Sequence, residues 1–210
     1  MSDSSLARRA MVDSQLRPEA VTDRGVLAAM GAVERERFVP EGQRALAYHD
    51  RSLPIGAGRS MMPPAALGRL LSELAPVAGE RALVVGSGSG YSAALLAAIG
   101  LEVTALESDA SLVAAASEAG VATHVGELVN GWARGAPYDL ILIDGAVEEV
   151  PAALAKQLTP FGRLGGAIID RGVTRLVVGR VSGGAIGLAT LAGASVAVLP
   201  GFARPRAFTF

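Results

Sequence analysis

Between Ala82 and Ser92 the chain reads Ala-Leu-Val-Val-Gly-Ser-Gly-Ser-Gly-Tyr-Ser, an apolar run that passes through three alternating glycines into an alanine-rich stretch. The pattern predicts a buried strand, a tight turn and a helix, the arrangement by which α/β folds present backbone N–H groups to a nucleotide-type ligand. Gly86, Gly88 and Gly90 carry no Cβ, so the backbone there can enter left-handed conformations and approach a ligand closely. The dinucleotide fingerprint G-x-G-x-x-G needs its third glycine at position 91, which is Tyr91. The spacing is G-x-G-x-G instead, which disfavours an NAD-dependent oxidoreductase. A second apolar run, 101–106, ends in Glu107. That is about 20 residues past the first glycine, where a doubly wound fold places the acid that accepts ribose hydroxyls. The competing readings are an ordinary strand-to-helix turn in a chain with 26 glycines among 210 residues, and a solvated strand end at Glu107.

A hydrophobic fraction of 50% against 19% charged residues implies a large core, and 210 residues suit one α/β domain with a modest additional segment. The net charge of −1 supplies no electrostatic footprint for nucleic acid or an anionic membrane. The absence of cysteine excludes disulfides, thiolate metal sites and cysteine nucleophiles. No signal pattern opens the chain and no apolar run reaches the roughly 20 residues of a membrane helix, so a cytoplasmic location is expected. His49 and His124 have no ligand spacing, and no metal site is expected.

Residues 1–76 read as a helical and irregular cap that includes a loop at 56–64, and residues 77–210 as a sheet core. In the cap, Thr22 is the predicted N-cap of a helix with Val26, Met30 and Val33 on one stripe. Pro64 opens a second helix whose Leu67, Leu70, Leu71 and Leu74 share a face. The core is predicted to alternate helix 91–99, strand 103–107, helix 110–119, strand 123–125, strand 140–143, helix 150–158 and strand 164–169. Strands at 176–181, 186–191 and 196–199 close the chain, with a turn at Gly183-Gly184. The fold class is therefore α/β, a Rossmann-like, mostly parallel sheet with helices on both faces and an N-terminal helical cap.

The glycine spacing resembles that of S-adenosylmethionine-dependent methyltransferases, and three segments together resemble the protein-L-isoaspartate O-methyltransferases. The first comprises Met11-Val-Asp-Ser-Gln-Leu-Arg17, Val26-Leu-Ala-Ala-Met30, Phe38-Val-Pro40 and Tyr48-His-Asp-Arg-Ser-Leu-Pro-Ile-Gly56. The second is the glycine turn with Glu107. The third is Gly126-Glu127, Asn130-Gly-Trp132, Ala136-Pro-Tyr-Asp139, Val150-Pro151 and Gln157-Leu-Thr-Pro-Phe-Gly-Arg-Leu164. The resemblance implies S-adenosylmethionine as cofactor. Gly86, Gly88 and Gly90, with Ser87 and Tyr91 beside them, would cradle its methionine part, and Glu107, followed by Ser108, would hold the ribose. Glu127 would meet the adenine amino group, Leu128 would pack on the ring, and Asp144 would complete the site. The implied reaction methylates the extra α-carboxylate of an isoaspartyl residue in a protein or peptide, after which a succinimide forms and reopens partly as aspartate. A carboxylate is already ionised at pH 7, so that chemistry needs alignment rather than a general base.

Two segments depart from the family pattern. Its active-site loop reads Gly-x-Gly-Gln-Thr-Ile-Ser-Gln-Pro, whereas this chain has Gly56-Ala-Gly-Arg-Ser-Met-Met-Pro-Pro64, with Met62 at the serine position. A thioether offers no donor to an anion. Ser60 turned inward and Arg59 as a carboxylate clamp are the two substitutes at hand, against readings of Arg59 as a solvated charge and of Met61 and Met62 as core. The strand position two before Gly86, acidic in methyltransferases, is Val84. Asp144 has a substrate-side role or caps a helix, Asp50 and Arg51 form a candidate ion pair at the site mouth, and Trp132 is read as packing. A related methyltransferase with another acceptor, and a non-catalytic homologue that keeps the fold, are the alternative functions.

Overall fold

The computed structural model describes residues 3–182 and 185–202; the turn expected at Gly183-Gly184 lies outside them. Helices α1 (Asp3–Met11) and α2 (Arg24–Ala32) open the cap, joined through a π-helical turn at Val12–Leu16. The N-cap of α2 is Asp23 rather than Thr22. Asp23 has the extended backbone of a capping residue and its carboxylate accepts the Val26 N–H at 2.9 Å, three residues into the helix, a position Thr22 is one residue too early to serve. Val26 and Met30 are fully buried, as their spacing predicts.

The loop at 56–64 begins inside an antiparallel hairpin, β1 (Leu53–Gly56) and β2 (Arg59–Met61), which the sequence alone reads as irregular. Gly56, Ala57 and Gly58 all take positive φ and make its turn. The alternation of Leu53 and Ile55 inward with Pro54 and Gly56 outward is too short to stand out as a period-2 pattern. Helix α3 (Pro64–Leu74) follows with Pro at its first position and with Leu67, Leu70, Leu71 and Leu74 buried. Its C-terminus is fastened by Arg163, whose guanidinium donates to the Leu74 and Ala75 carbonyls and to both Glu80 carboxylate oxygens.

From there the chain alternates β3 (Arg81–Val85), α4 (Tyr91–Ile99), β4 (Glu102–Glu107), α5 (Ala110–Glu118), β5 (Thr123–Val125), β6 (Tyr138–Val147), α6 (Ala152–Ala155) and β7 (Leu158–Asp170), then β8 (Val173–Ser182) and β9 (Ala185–Gly193). The seven strands lie in the order β5-β4-β3-β6-β7-β8-β9. Pairs from β5 to β7 are parallel, and only the β7–β8 and β8–β9 pairs are antiparallel. Alternate residues of β3 enter two cores. Ala82 and Val84 face α2, α3 and α4, while Leu83 and Val85 face Leu128, Leu154 and Leu199. Both faces are buried, which is why the strand is continuously apolar.

The second face is covered by less helix than expected. The predicted helix 150–158 shrinks to α6, because the Gln157 side chain turns aside to accept the Trp132 N–H and to donate to the Asn130 carbonyl, and the chain enters β7 at Leu158. The predicted strand 196–199 is a single parallel bridge, Ala146 to Val198. β3 has β4 on one side and β6 on the other, so the chain reverses direction across the sheet there. That switch point opens a crevice at the carboxyl ends of the strands, and the glycine turn lies in it.

Candidate functional site

The glycine turn is left-handed at Gly86 (φ 72°), Gly88 (56°) and Gly90 (97°). Its first N–H groups, of Gly86 and Ser87, donate to the Leu106 carbonyl at 2.9 and 3.0 Å. Gly90 N–H closes back on Ser87, and α4 starts at Tyr91. Val84 packs in the core and orders nothing in the turn. That task falls to Glu107 at the end of β4, whose Oε2 accepts the Gly88 N–H at 2.9 Å and whose Oε1 accepts the Ser108 N–H at 2.7 Å.

Glu107 is not a solvated strand end, for it is 0% exposed. Nor is Arg59 a surface charge. Its Nη1 donates to both Glu107 oxygens at 2.9 and 3.0 Å, and its Nη2 donates to the Gly86 carbonyl at 2.8 Å. The guanidinium is thus a carboxylate clamp, and the carboxylate it holds belongs to this chain. It closes the glycine turn from the hairpin side.

The crevice is consequently divided. On the hairpin side, where Arg59, Ser60 and Met61 meet the glycine turn, Tyr91 and Asp144, the cavity is about 10 Å³, room for about one water. The C-terminal segment packs beside the same turn, where a Cβ on Gly86 would lie 3.0 Å from the Leu199 side chain. Leu199 N–H donates to the Ala146 carbonyl at 2.8 Å, Ala146 N–H donates to the Ala197 carbonyl at 2.8 Å, and the Leu199 side chain lies so close that a Cβ on Gly145 would be 2.5 Å from its Cγ. On the other side, Ser108, Glu127, Leu128 and Val129 face Pro200 and Gly201 across an open pocket of about 360 Å³. Glu127 is exposed there, its Oε2 accepting from Asn130 at 2.7 Å. A larger cavity of about 540 Å³ lies between α2, α4 and the end of α5, and no residue of the crevice lines it.

Asp144 lies within β6, so it caps no helix; its Oδ2 accepts the Ser92 hydroxyl at 2.5 Å. Burial pushes its pKa up to about 6, against the lowering effects of that hydrogen bond and of the Arg59 and Arg35 charges. Met62 is buried in the main core and does not line the small cavity, whereas Met61 and Ser60 do. Asp50 accepts the Ala65 N–H at the start of α3 and makes no ion pair with Arg51 among the described residues. Trp132 stacks on His124 with centroids 4.3 Å apart, which accounts for both rings as packing. Among the described residues no group of three metal-ligating side chains occurs.

Two contributors escape the sequence reading. Arg35 is completely buried, donates to the Ala47 and Met62 carbonyls, and stands 4.7 Å above the Tyr91 ring. Burial pushes its pKa down and that of the Tyr91 hydroxyl up. The signal was its place three residues before Phe38-Val-Pro40, one of the resemblance motifs, where a charge on a helical turn reads as surface. The other is Leu199, whose apolar neighbours suggest a strand and not a stopper.

The donor set fits an adenosyl sulfonium compound: a buried carboxylate beside a glycine turn, an open pocket with an acid at its rim, and a buried Ser87 hydroxyl with no hydrogen-bond partner among the described residues. The space on the hairpin side does not fit one while Arg59 and Leu199 hold their places. Residues 7–176 match the family Protein-L-isoaspartate(D-aspartate) O-methyltransferase (PCMT). The chain is 43% identical over 164 residues to protein-L-isoaspartate O-methyltransferase 2 of Anaeromyxobacter sp. (strain Fw109-5), covering 75% of this chain and 68% of that one. It is 42% identical over 170 residues to the protein-L-isoaspartate O-methyltransferase of Methylorubrum populi, covering 78% and 79%. Its fold is similar to that of a protein-L-isoaspartate O-methyltransferase structure with a TM-score of 0.82 at 20% identity, covering 92% of this chain and 66% of that one. A structure from Plasmodium falciparum, described as a protein of the same activity in complex with S-adenosyl-L-homocysteine, gives a TM-score of 0.79 at 20% identity and covers 95% and 99%.

Proposed function

The chain belongs to the protein-L-isoaspartate O-methyltransferase family, and from that premise we propose that it methylates the α-carboxylate of isoaspartyl residues in protein or peptide substrates, in the cytoplasm, with S-adenosylmethionine as cofactor. The observation that carries this reading is Glu107, a carboxylate buried at the switch point and bonded to the Gly88 N–H of the turn. A vicinal diol offers two O–H donors to such a group, and charge-assisted bonds of this kind contribute about 1.5–3 kcal/mol each.

Bound in this crevice, S-adenosylmethionine would supply a methyl group on a sulfonium sulfur, transferred to a carboxylate oxygen as the carbon–sulfur bond breaks and its electron pair returns to sulfur. Gly86, Ser87, Gly88, Gly90 and Tyr91 would hold the methionine part, Glu107 and Ser108 the ribose, and Glu127 and Leu128 the adenine. Asp144 borders the same cavity with its carboxylate on Ser92. The acceptor carboxylate is anionic at neutral pH, so the protein's work is to orient it and to exclude water. Ser60 of β2 also lines the cavity, and its hydroxyl, turned inward, would donate one hydrogen bond to that anion, while Met62, committed to the core, contributes shape only.

A methyl-transfer assay tests the reading directly. Radiolabelled methyl groups are expected on an isoaspartyl peptide and not on its aspartyl twin. A protein that binds S-adenosylhomocysteine but labels neither peptide has another acceptor, the reading that the buried Met62 at the serine position favours.

A further inference from the structure

We propose that Arg59 is an internal competitor for the ribose carboxylate, so that cofactor binding releases its guanidinium and makes it the cation that positions the acceptor's carboxylate. This deepens the isoaspartyl reading and rests on it. Glu107 has two oxygens and about four lone-pair directions. Oε2 accepts from Arg59 Nη1 and Gly88 N–H, and Oε1 accepts from Arg59 Nη1, from the Ser108 N–H and, at 3.2 and 3.3 Å, from the Ser108 hydroxyl and the Asp109 N–H. A diol finds no free direction on this carboxylate until Arg59 leaves. Once Arg59 leaves, Gly88 and Ser108 still hold Glu107 in place as an anion. The exchange therefore removes one partner and leaves the receptor built.

Space gives the same result independently. A Cβ on Gly86 would lie 2.9 Å from Arg59 Nη2, so the guanidinium rests against the bare backbone that the turn reserves for a ligand. The cavity around it is about 10 Å³, against the several hundred Å³ of ordinary ligand sites. Arg59 is on β2, a three-residue strand paired only with β1, and the turn joining them is exposed. Such a short hairpin shifts at small cost compared with the central sheet.

A released guanidinium cannot remain buried without an anion, since an unpaired buried charge is strongly destabilising. Ser60, its chain neighbour, lines the same cavity, so a carboxylate arriving there meets the planar cation and, with that side chain turned inward, a hydroxyl. Cofactor and acceptor then help each other to bind, and the coupling is reciprocal. It also supplies a donor set that a thioether at position 62 does not.

Calorimetric titration with S-adenosylhomocysteine, on the whole chain and on Arg59→Ala, tests the exchange. The variant is expected to bind at least tenfold more tightly than the wild type and, unlike the wild type, to show no gain in that affinity when a saturating isoaspartyl peptide is present. Equal or weaker affinity in a variant whose far-ultraviolet dichroism is unchanged overturns the proposal, as does an absence of binding in both proteins. Should Arg59→Ala fail to fold, wild-type crystals soaked with S-adenosylhomocysteine decide. Arg59 is expected off Glu107, and an Arg59–Glu107 pair intact beside bound ligand overturns the proposal. A chain that shows the tenfold gain yet methylates no isoaspartyl peptide keeps the internal competitor and loses the acceptor, whereas one that methylates the peptide with no gain keeps the activity and loses the competitor.

Discussion

The two sides of the crevice differ in how their polar groups are satisfied. On the open side Glu127 is exposed, accepts from Asn130, and has about 360 Å³ of space before it. On the hairpin side Glu107 is fully buried, held by Arg59 and three backbone N–H groups, with about 10 Å³ left. Glu107 ends β4 and Glu127 comes just after β5, two neighbouring strands paired in parallel. The difference arises from what the rest of the chain brings to them: a hairpin cation and the Leu199 side chain to one, solvent to the other. Two carboxylates at the ends of neighbouring strands can thus differ entirely in access, one closed over by its own chain and one left open.

The largest effect should come from Glu107→Ala, which strands the Arg59 cation in a closed cavity. A loss of about 3–5 kcal/mol in denaturant unfolding is expected, and a near-native midpoint would mean that the closed side is not held by the ion pair. Leu199→Ala removes the stopper. It should cost about 2–3 kcal/mol of stability yet tighten S-adenosylhomocysteine binding, by up to about tenfold, or 1.4 kcal/mol; weaker binding would make Leu199 a wall of the ligand site rather than a stopper.

Asp144 sharpens the comparison through pH. Its folded pKa of about 6 lies above its unfolded value, so between roughly pH 4 and 6 the native state carries a proton that the unfolded chain has lost. Stability from this group is therefore greatest below pH 4 and declines as pH rises to 6. Relative to Asp144→Asn the wild type should lose about 1–2 kcal/mol across that window, the partial exposure of the side chain being allowed for. Matching pH profiles of the two proteins would remove Asp144 from the buried charge set. The smallest effect belongs to the open side. Glu127→Ala should change stability by less than about 0.5 kcal/mol while weakening cofactor binding a few-fold in calorimetry, and an unchanged affinity would take Glu127 out of the adenine pocket.

Much of the fold was legible because it is local. The strand, glycine turn and α4 occupy one continuous stretch, and the helix runs from Tyr91 to Ile99 as the alanine-rich run after the turn predicts. Buried leucines at i, i+3, i+4 and i+7 identified α3. The N-cap of α2 was misplaced by one residue, since Thr22 and Asp23 both suit a cap and only the backbone angle selects between them. The helix at 150–158 was overextended because nothing in that stretch announces that Gln157 will be drawn to Asn130 and Trp132. The hairpin β1–β2 was missed because its strands are shorter than a periodic pattern can reveal.

The sequence by itself determined the kind of protein: a glycine turn at a strand end, an acid at the end of the next strand, and a parallel α/β sheet around them, all written in neighbouring residues whose backbone preferences act locally. Only the tertiary structure decided the state of the site. Arg59 and Glu107 are 48 positions apart and Leu199 is further still from the glycine it covers, so their meeting depends on how the hairpin and the C-terminal segment dock on the sheet. A buried cation takes the nearest carboxylate available to it, and which one that is depends on packing rather than on spacing along the chain.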